Sequence, residues 1–398
     1  MAAKKAIFIC SGKRTAFGAF GGSLVQQSAT DLAVHAGSAA VKAAGVAAEQ
    51  IDHVVFGNVI QSSKDAAYLA RHVALRIGCP QHVPGLTVNR LCASGFEAIA
   101  QAARMILLDE ANIVLAGGTE SMSQAPFAVR DVRFGTQLGK KLEFEDTLWE
   151  GLSDQLAKIP MGMTAENLGA EYKVTRQECD EFAERSQRLW NLAEHAGFFK
   201  NEIAPIEVKS RKGPVSFATD EHPRETPIEK LAQLPTVFKK DGLITAASAS
   251  GVCDGAAALV VASERACTEH KMKPLARLVD WSTVGCDPAL MGFGPVPAIR
   301  QLLKRTALTC KDMEIVEINE AFAPQTLACL KALQKDGLDY NQLNVNGGAI
   351  ALGHPLAASG ARIAAHIIHE IKRRNAKYGL GSACVGGGMG MAMIFEAV

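Results

Sequence analysis

Apolar runs of strand length alternate with helically spaced apolar positions in the first and last thirds of the chain, the pattern of a sheet covered by helices. In the first third, residues 51–61 (IDHVVFGNVIQ) predict a strand ending near Asn58. Residues 86–107 predict strand, turn and helix, with Phe96, Ile99, Ala103, Ile106 and Leu107 on one helical face, and residues 111–120 predict another strand. The last third repeats that order in residues 313–324, 344–371 and 377–388. Asn58 stands 34 residues before Cys92, and Asn319 stands 35 before His354, so the spacing repeats as well. Two like-built α/β halves, each unable to cover both faces of its own sheet, are expected to pack about a pseudo-two-fold axis. Function is then expected where they meet.

Residues 121–247 break the rhythm with longer polar stretches, and within them residues 175–197 predict a helix with Phe182, Leu189 and Ala193 at helical spacing. This region reads as an inserted, more exposed loop domain over the site. The expected division is residues 1–270, containing that insertion, and 271–398.

Composition narrows the function. The 398 residues are 48% hydrophobic and 21% charged, the balance of a globular protein with ample core. Lys plus Arg at 42 nearly cancel Asp plus Glu at 41, leaving a net charge of +1 and no field to gather nucleic acid or anionic lipid. No apolar run is long enough to span a bilayer. The ten cysteines include no CxxC pair, which argues against a zinc site or disulfide scaffold and for a reducing compartment. Lys4, Lys5, Lys13 and Arg14 precede the first acidic residue, Asp31, a bias shared by mitochondrial targeting segments, although residues 6–10 also read as a buried strand.

Four segments carry candidate chemistry. Cys92 lies between a strand and a helix, where unpaired amides and the macrodipole are expected to lower its thiol pKa. His354 sits at the matching turn of the other half, before Pro355, where it can serve as base to that thiol. Cys384 leads into three glycines, a backbone that can approach an anion closely. Asn319 at a strand end can hold a water or a carbonyl oxygen, with Glu320 orienting its neighbours. Taken singly, a core cysteine, a structural histidine, a nucleotide loop and an Asx turn explain each; a nucleotide loop is disfavoured because the chain ends at Val398 before any acidic partner.

Together, VNRLCASGFEAI, NEAFAPQ, NVNGGAIALGHPLAASG and GSACVGGGMGMA resemble the signature segments of the thiolase family, in its order and spacing over essentially the whole chain. NVIQSSKDAAYLARH and GGTESMSQAP resemble its degradative branch, which acts on 3-ketoacyl-CoA in mitochondrial fatty-acid β-oxidation. The resemblance implies a layered αβαβα fold from two duplicated halves with an inserted loop domain. It implies Cys92 as acyl-accepting nucleophile, His354 as its base and Cys384 as the acid and base of the partner step. Asn319, holding a water, and His354 would form one oxyanion hole, and the amides of Cys92 and Gly386 the other. Arg224, Thr226 and Ser250 look like coenzyme A contacts, with Met163, Met291 and Phe322 along the pantetheine or acyl path. Coenzyme A enters as co-substrate, with no tightly bound cofactor and no metal, and the family implies a homodimer or homotetramer, placed in the mitochondrial matrix or alternatively the cytoplasm. One departure is Ala357, where related enzymes often have glycine; a positive φ there would cost roughly 1 kcal/mol.

Other readings remain. An acetoacetyl-CoA thiolase uses the same catalytic set and differs in pocket depth. A noncatalytic acyl-CoA-binding protein of the same fold has no need of an intact Cys, Asn, His, Cys set. A decarboxylating ketoacyl synthase is expected to carry histidines at positions 319 and 384, and a cysteine protease has no role for the second cysteine. His366 and His369 lack the further ligands a metal needs.

Overall fold

The computed structural model describes residues 5–210 and 213–398; Lys4, one of the basic residues noted above, lies outside them. The principal strands are β1 (Ile7–Arg14), β2 (His53–Gly57), β3 (Gly85–Val88), β4 (Ile113–Ser121), β5 (Cys253–Ser263), β6 (Ala276–Gly285), β7 (Ile315–Ile318), β8 (Tyr378–Val385) and β9 (Met389–Glu396). They hydrogen-bond in the order β7-β8-β9-β6-β1-β5-β4-β2-β3, with Gly18–Ala19 beside β5. Numbered within its own half, each sheet follows one plan. The first half runs 3-2-4-5-1, with β2 parallel to β3 and β4, and β5 antiparallel to β4 and β1. The second also runs 3-2-4-5-1, but its third strand shrinks to a parallel bridge between Leu343 and Val316. The halves join where β1 meets β6, through Phe8 opposite Arg277 and Ile9 opposite Ala276.

Period-two alternation sorts side chains into layers. Along β5, Ala257, Leu259 and Val261 face an inner core, whereas Ala256, Ala258, Val260 and Ala262 face an outer one. The inner core holds two helices, α3 (Ser94–Leu107) and α8 (Leu356–Arg374), clasped between the sheets. Outside the first sheet lie α1 (Ala29–Ala44) and α2 (Leu69–Arg76). Outside the second lie α6 (Pro295–Thr306) and α7 (Ala323–Gln334). The order α, β, α, β, α is that of the expected fold.

α3 and α8 approach so closely that only glycine fits at the crossing. A Cβ on Gly95 would lie 2.4 Å from the amide nitrogen of Ala361, and one on Gly360 would lie 2.6 Å from that of Phe96. Because α3 follows Cys92 and α8 follows His354, this crossing sets the distance between the two turns.

The region 121–247 contributes α4 (Met161–Glu171) and α5 (Arg176–His195). Thr175 and Glu178 form a capping box that starts α5 one residue inside the predicted span. Its buried face is Cys179, Phe182, Ala183, Ser186, Trp190 and Ala193, while Leu189 is only half-buried. A buried ionic network ties this region to both halves. The fully buried Arg14 donates to Glu202 at 2.8 Å and to both oxygens of Asp220, and Glu202 also pairs with His366 of α8 at 2.8 Å.

Candidate active site

Cys92 occupies a strained turn. Leu91, just before it, has φ of 47°, a left-handed conformation that costs a side chain about 1–3 kcal/mol. Local hydrogen bonds hold it: Asn89 Oδ1 accepts from the Leu91 amide at 2.9 Å, and the Ser94 hydroxyl donates to the Leu91 carbonyl at 2.7 Å. Gly57 lets this turn settle on the sheet, since a Cβ there would lie 2.5 Å from that of Ser94.

His354 is placed by a second turn. Gly353 before it has φ of 99°, and a Cβ there would meet the sulfur of Cys253 at 2.6 Å. The His354 amide donates to the Gly251 carbonyl at 2.9 Å. Its Nδ1 lies 2.6 Å from the Ser359 hydroxyl, and the Asn319 amide nitrogen lies 3.3 Å from Nε2. Asn319 Oδ1 is buried without a hydrogen-bond partner, so it remains available to a ligand. Ala357 falls in the first turn of α8 without a positive φ, so the feared strain does not arise.

Cys384, fully buried at the end of β8, packs with Met291 and Ala321, and Met161 and Phe322 close over them. Met163 is half-buried further along α4, so it is Met161 that meets this cluster. Beyond Cys384 the chain reverses through Gly387 and Gly388, both at positive φ. That reversal turns the Gly386 amide toward the Cys92 sulfur, which also accepts from the Cys92 amide. Cys92 packs against a cluster of Ile60, Met122, Leu148 and Leu356, the last only two residues after His354, and its sulfur lies near enough to Cys384 to oppose ionisation there. The candidate residues therefore converge from both halves.

The electrostatics differ from the sequence expectation at Cys92. Desolvation pushes its thiol up to about 11, outweighing the Gly386 and Cys92 amides, with the Glu120 carboxylate opposing ionisation further. The helix-terminus argument failed because it counted the amides and not the burial. Burial, aided by the charge of Arg362, pulls His354 down to about 4. At neutral pH the pair is thus a thiol and a neutral imidazole. Cys384 is held well above the ordinary thiol range by burial and by its neighbour Cys92.

Glu120, missed in the sequence, ties the segment after β2 to the first turn of α8. Its carboxylate accepts from the amides of Val59 and Ile60 in the first half and of Ala357 in the second, and burial raises its pKa to about 7. Glu320 does the same nearby, accepting from Ser186 at 2.7 Å and Asn344 at 2.8 Å. GGTES offered only an acid in an apolar strand as a signal.

Arg224 and Thr226 line a narrow cleft with His222, Gln187, Ala246 and Ala247. Ser250 donates from amide and hydroxyl to the Ala321 carbonyl, and Ala249 bridges Phe322 beside it, so one chain segment leads from the cleft toward Cys384. Among the described residues, no group of three or more His, Cys, Asp or Glu side chains is arranged to hold a metal ion, and no helix is long and apolar enough to cross a membrane.

This constellation on duplicated α/β halves is that of an acyl-transferring enzyme working through cysteine, and comparison with known proteins agrees. Residues 7–265 match the thiolase N-terminal domain and residues 272–397 the thiolase C-terminal domain. The chain belongs to the thiolase family. It is 54% identical to human "3-ketoacyl-CoA thiolase, mitochondrial" over the full length of both chains, and 42% identical to the acetyl-CoA acetyltransferase of Syntrophomonas wolfei over 97% of each. The crystal structure of human mitochondrial 3-ketoacyl-CoA thiolase in complex with CoA superposes with a TM-score of 0.96 at 54% identity, covering 100% of this chain and 99% of that one.

Proposed function

We propose that the protein is a 3-ketoacyl-CoA thiolase of fatty-acid β-oxidation, cleaving its substrate with coenzyme A into acetyl-CoA and an acyl-CoA two carbons shorter. The observation that carries the catalytic assignment is the pair of amides, from Cys92 and Gly386, that hydrogen-bond the Cys92 sulfur, with His354, paired with Asn319, heading the matching helix of the other half. An oxyanion on the carbon that becomes bonded to that sulfur falls within their reach.

The reaction starts from neutral partners. As the Cys92 sulfur attacks the 3-keto carbon, His354 takes its proton; Nδ1 held by Ser359 leaves Nε2 as the base. The tetrahedral alkoxide meets the two amides. The bond between C2 and C3 then breaks, leaving an acyl group on Cys92 and an acetyl-CoA enolate, whose oxygen is stabilised by His354 and a water held on Asn319. Cys384, kept protonated by burial, delivers its proton to the enolate carbon. Coenzyme A next gives its thiol proton to the Cys384 thiolate and attacks the acyl-cysteine, and the departing Cys92 sulfur regains its proton from His354, so the two half-reactions share one covalent intermediate and return every proton.

The nucleotide end of coenzyme A is assigned to the surface around Arg224 and Thr226, with Ser250, Met291 and Phe322 on the path from there to Cys384. We assign residues 1–270 and 271–398 as the two halves, with 121–247 as the insertion, and place the enzyme in the mitochondrial matrix because the similar human protein is named mitochondrial. A homodimer or homotetramer is the expected assembly.

The test is to mix the protein with a 3-ketoacyl-CoA in the absence of coenzyme A. Acetyl-CoA should be released once per site, with an acyl group on the peptide containing Cys92. Release without acylation of Cys92, or acylation elsewhere, defeats the assignment.

A further inference from the structure

β1 carries an irregularity that the catalytic chemistry does not use. Ile9 pairs with Val261 and Ser11 with Val260, so Cys10 is an extra residue with no partner across the strand. A bulge of this kind re-aims its side chain. Cys10 turns into the outer core and meets Cys267, on the short helix Glu264–Glu269, although 257 residues separate them. The two sulfurs lie 3.6 Å apart. The residues are 3% and 8% exposed, yet Cys10 also forms part of the wall of a solvent-open depression of about 590 Å³ rimmed by Lys13, Lys273 and Lys372. The hydrogen bond between the sulfurs raises the Cys10 thiol and lowers that of Cys267, so Cys267 is the one to ionise first.

We propose that Cys10 and Cys267 form a modification site, separate from the catalytic cysteines, that a small hydroperoxide closes to a disulfide. The Cys267 thiolate attacks one peroxide oxygen, breaking the O–O bond to give a sulfenic acid and hydroxide. The Cys10 sulfur then displaces the sulfenyl hydroxide and forms the S–S bond. With the two thiol protons, hydrogen peroxide ends as two waters, two electrons having passed from the thiols. The sulfurs must close from 3.6 Å to the bonded separation of about 2.0 Å. The new bond fastens β1, which is hydrogen-bonded to both halves, to the segment that links β5 to β6.

The experiment exposes the protein and its Cys92→Ala variant to hydrogen peroxide, blocks remaining thiols with N-ethylmaleimide in denaturant, and maps the peptides by mass spectrometry. A Cys10–Cys267 link in both proteins, reversed by dithiothreitol, is the expected result. In Cys10→Ser the link disappears and Cys267 becomes trappable by dimedone. Recovery of Cys10 and Cys267 as maleimide adducts, at doses that oxidise other cysteines, overturns the proposal. If Cys10→Ser fails to fold, the peptide map of the unsubstituted protein decides alone.

Discussion

Replacing Gly95 by alanine tests whether the crossing of α3 and α8 sets the catalytic geometry. The added Cβ would stand 2.4 Å from the Ala361 nitrogen and 2.7 Å from the Ala357 carbonyl oxygen, both backbone atoms that cannot rotate away. Ordinary contact begins at 3.4 Å, so the helices must separate by 3.4 minus 2.4, or 1.0 Å. Overpacking of this kind costs about 1–3 kcal/mol of stability. A displacement of that size between the Cys92 and His354 turns should lower kcat/KM by roughly 10²-fold. The assay is steady-state thiolysis of acetoacetyl-CoA beside thermal unfolding followed by circular dichroism. Gly151→Ala is the control, because nothing lies within 4 Å of a Cβ there. A Gly95→Ala protein that is less stable but fully active would show that the crossing is structural only. One that matches the parent in both would refute the packing argument itself.

Three further outcomes are expected. Asn319→Ala should keep the fold and lose about 10²- to 10³-fold in turnover, and unchanged turnover would remove Asn319 from the oxyanion site. The rate at which iodoacetamide alkylates Cys92 should climb steadily with pH toward its raised pKa of about 11, and a plateau near the ordinary thiol value would contradict the burial argument. For Glu370, burial alone would raise the carboxyl, but hydrogen bonds from Arg373 and Arg374 and the charge of His366 hold it down to about 2. Its folded pKa lies below the unfolded value of about 4.3, so its stabilisation is present above that pH and fades as pH falls toward 2. Glu370→Gln should therefore flatten the acid limb of a melting-temperature curve, and an unaltered limb would exclude the contribution.

Local pattern disclosed the elements better than it disclosed their partners. The repeated strand-turn-helix spacing around Cys92 and His354 reported both turns, because glycine, proline and apolar periodicity act within a few residues. The strand expected at the start of residues 344–371 is reduced to a single parallel bridge, Leu343–Val316, because local pattern does not say how far a segment pairs with its neighbour. Leu189 was placed on the buried face of α5, where Trp190 stands, since apolar spacing cannot say which neighbour meets the core. Arg14, Glu120 and Glu202 have partners in distant parts of the chain, and no local signal names them. The Cys92 pKa reversed for the same reason, its burial being supplied by remote segments.

β1 also fixes the order in which the molecule can be completed during synthesis. The two strands that flank it begin at Cys253 and Ala276, so the strand must wait for more than half the polypeptide to leave the ribosome before it is paired on both sides. At about 5–20 residues per second that wait is roughly 10–50 s. The apolar run that opens this strand, Ile7–Cys10, stays without its neighbours over that interval, an unpaired edge that a nascent-chain chaperone can cover.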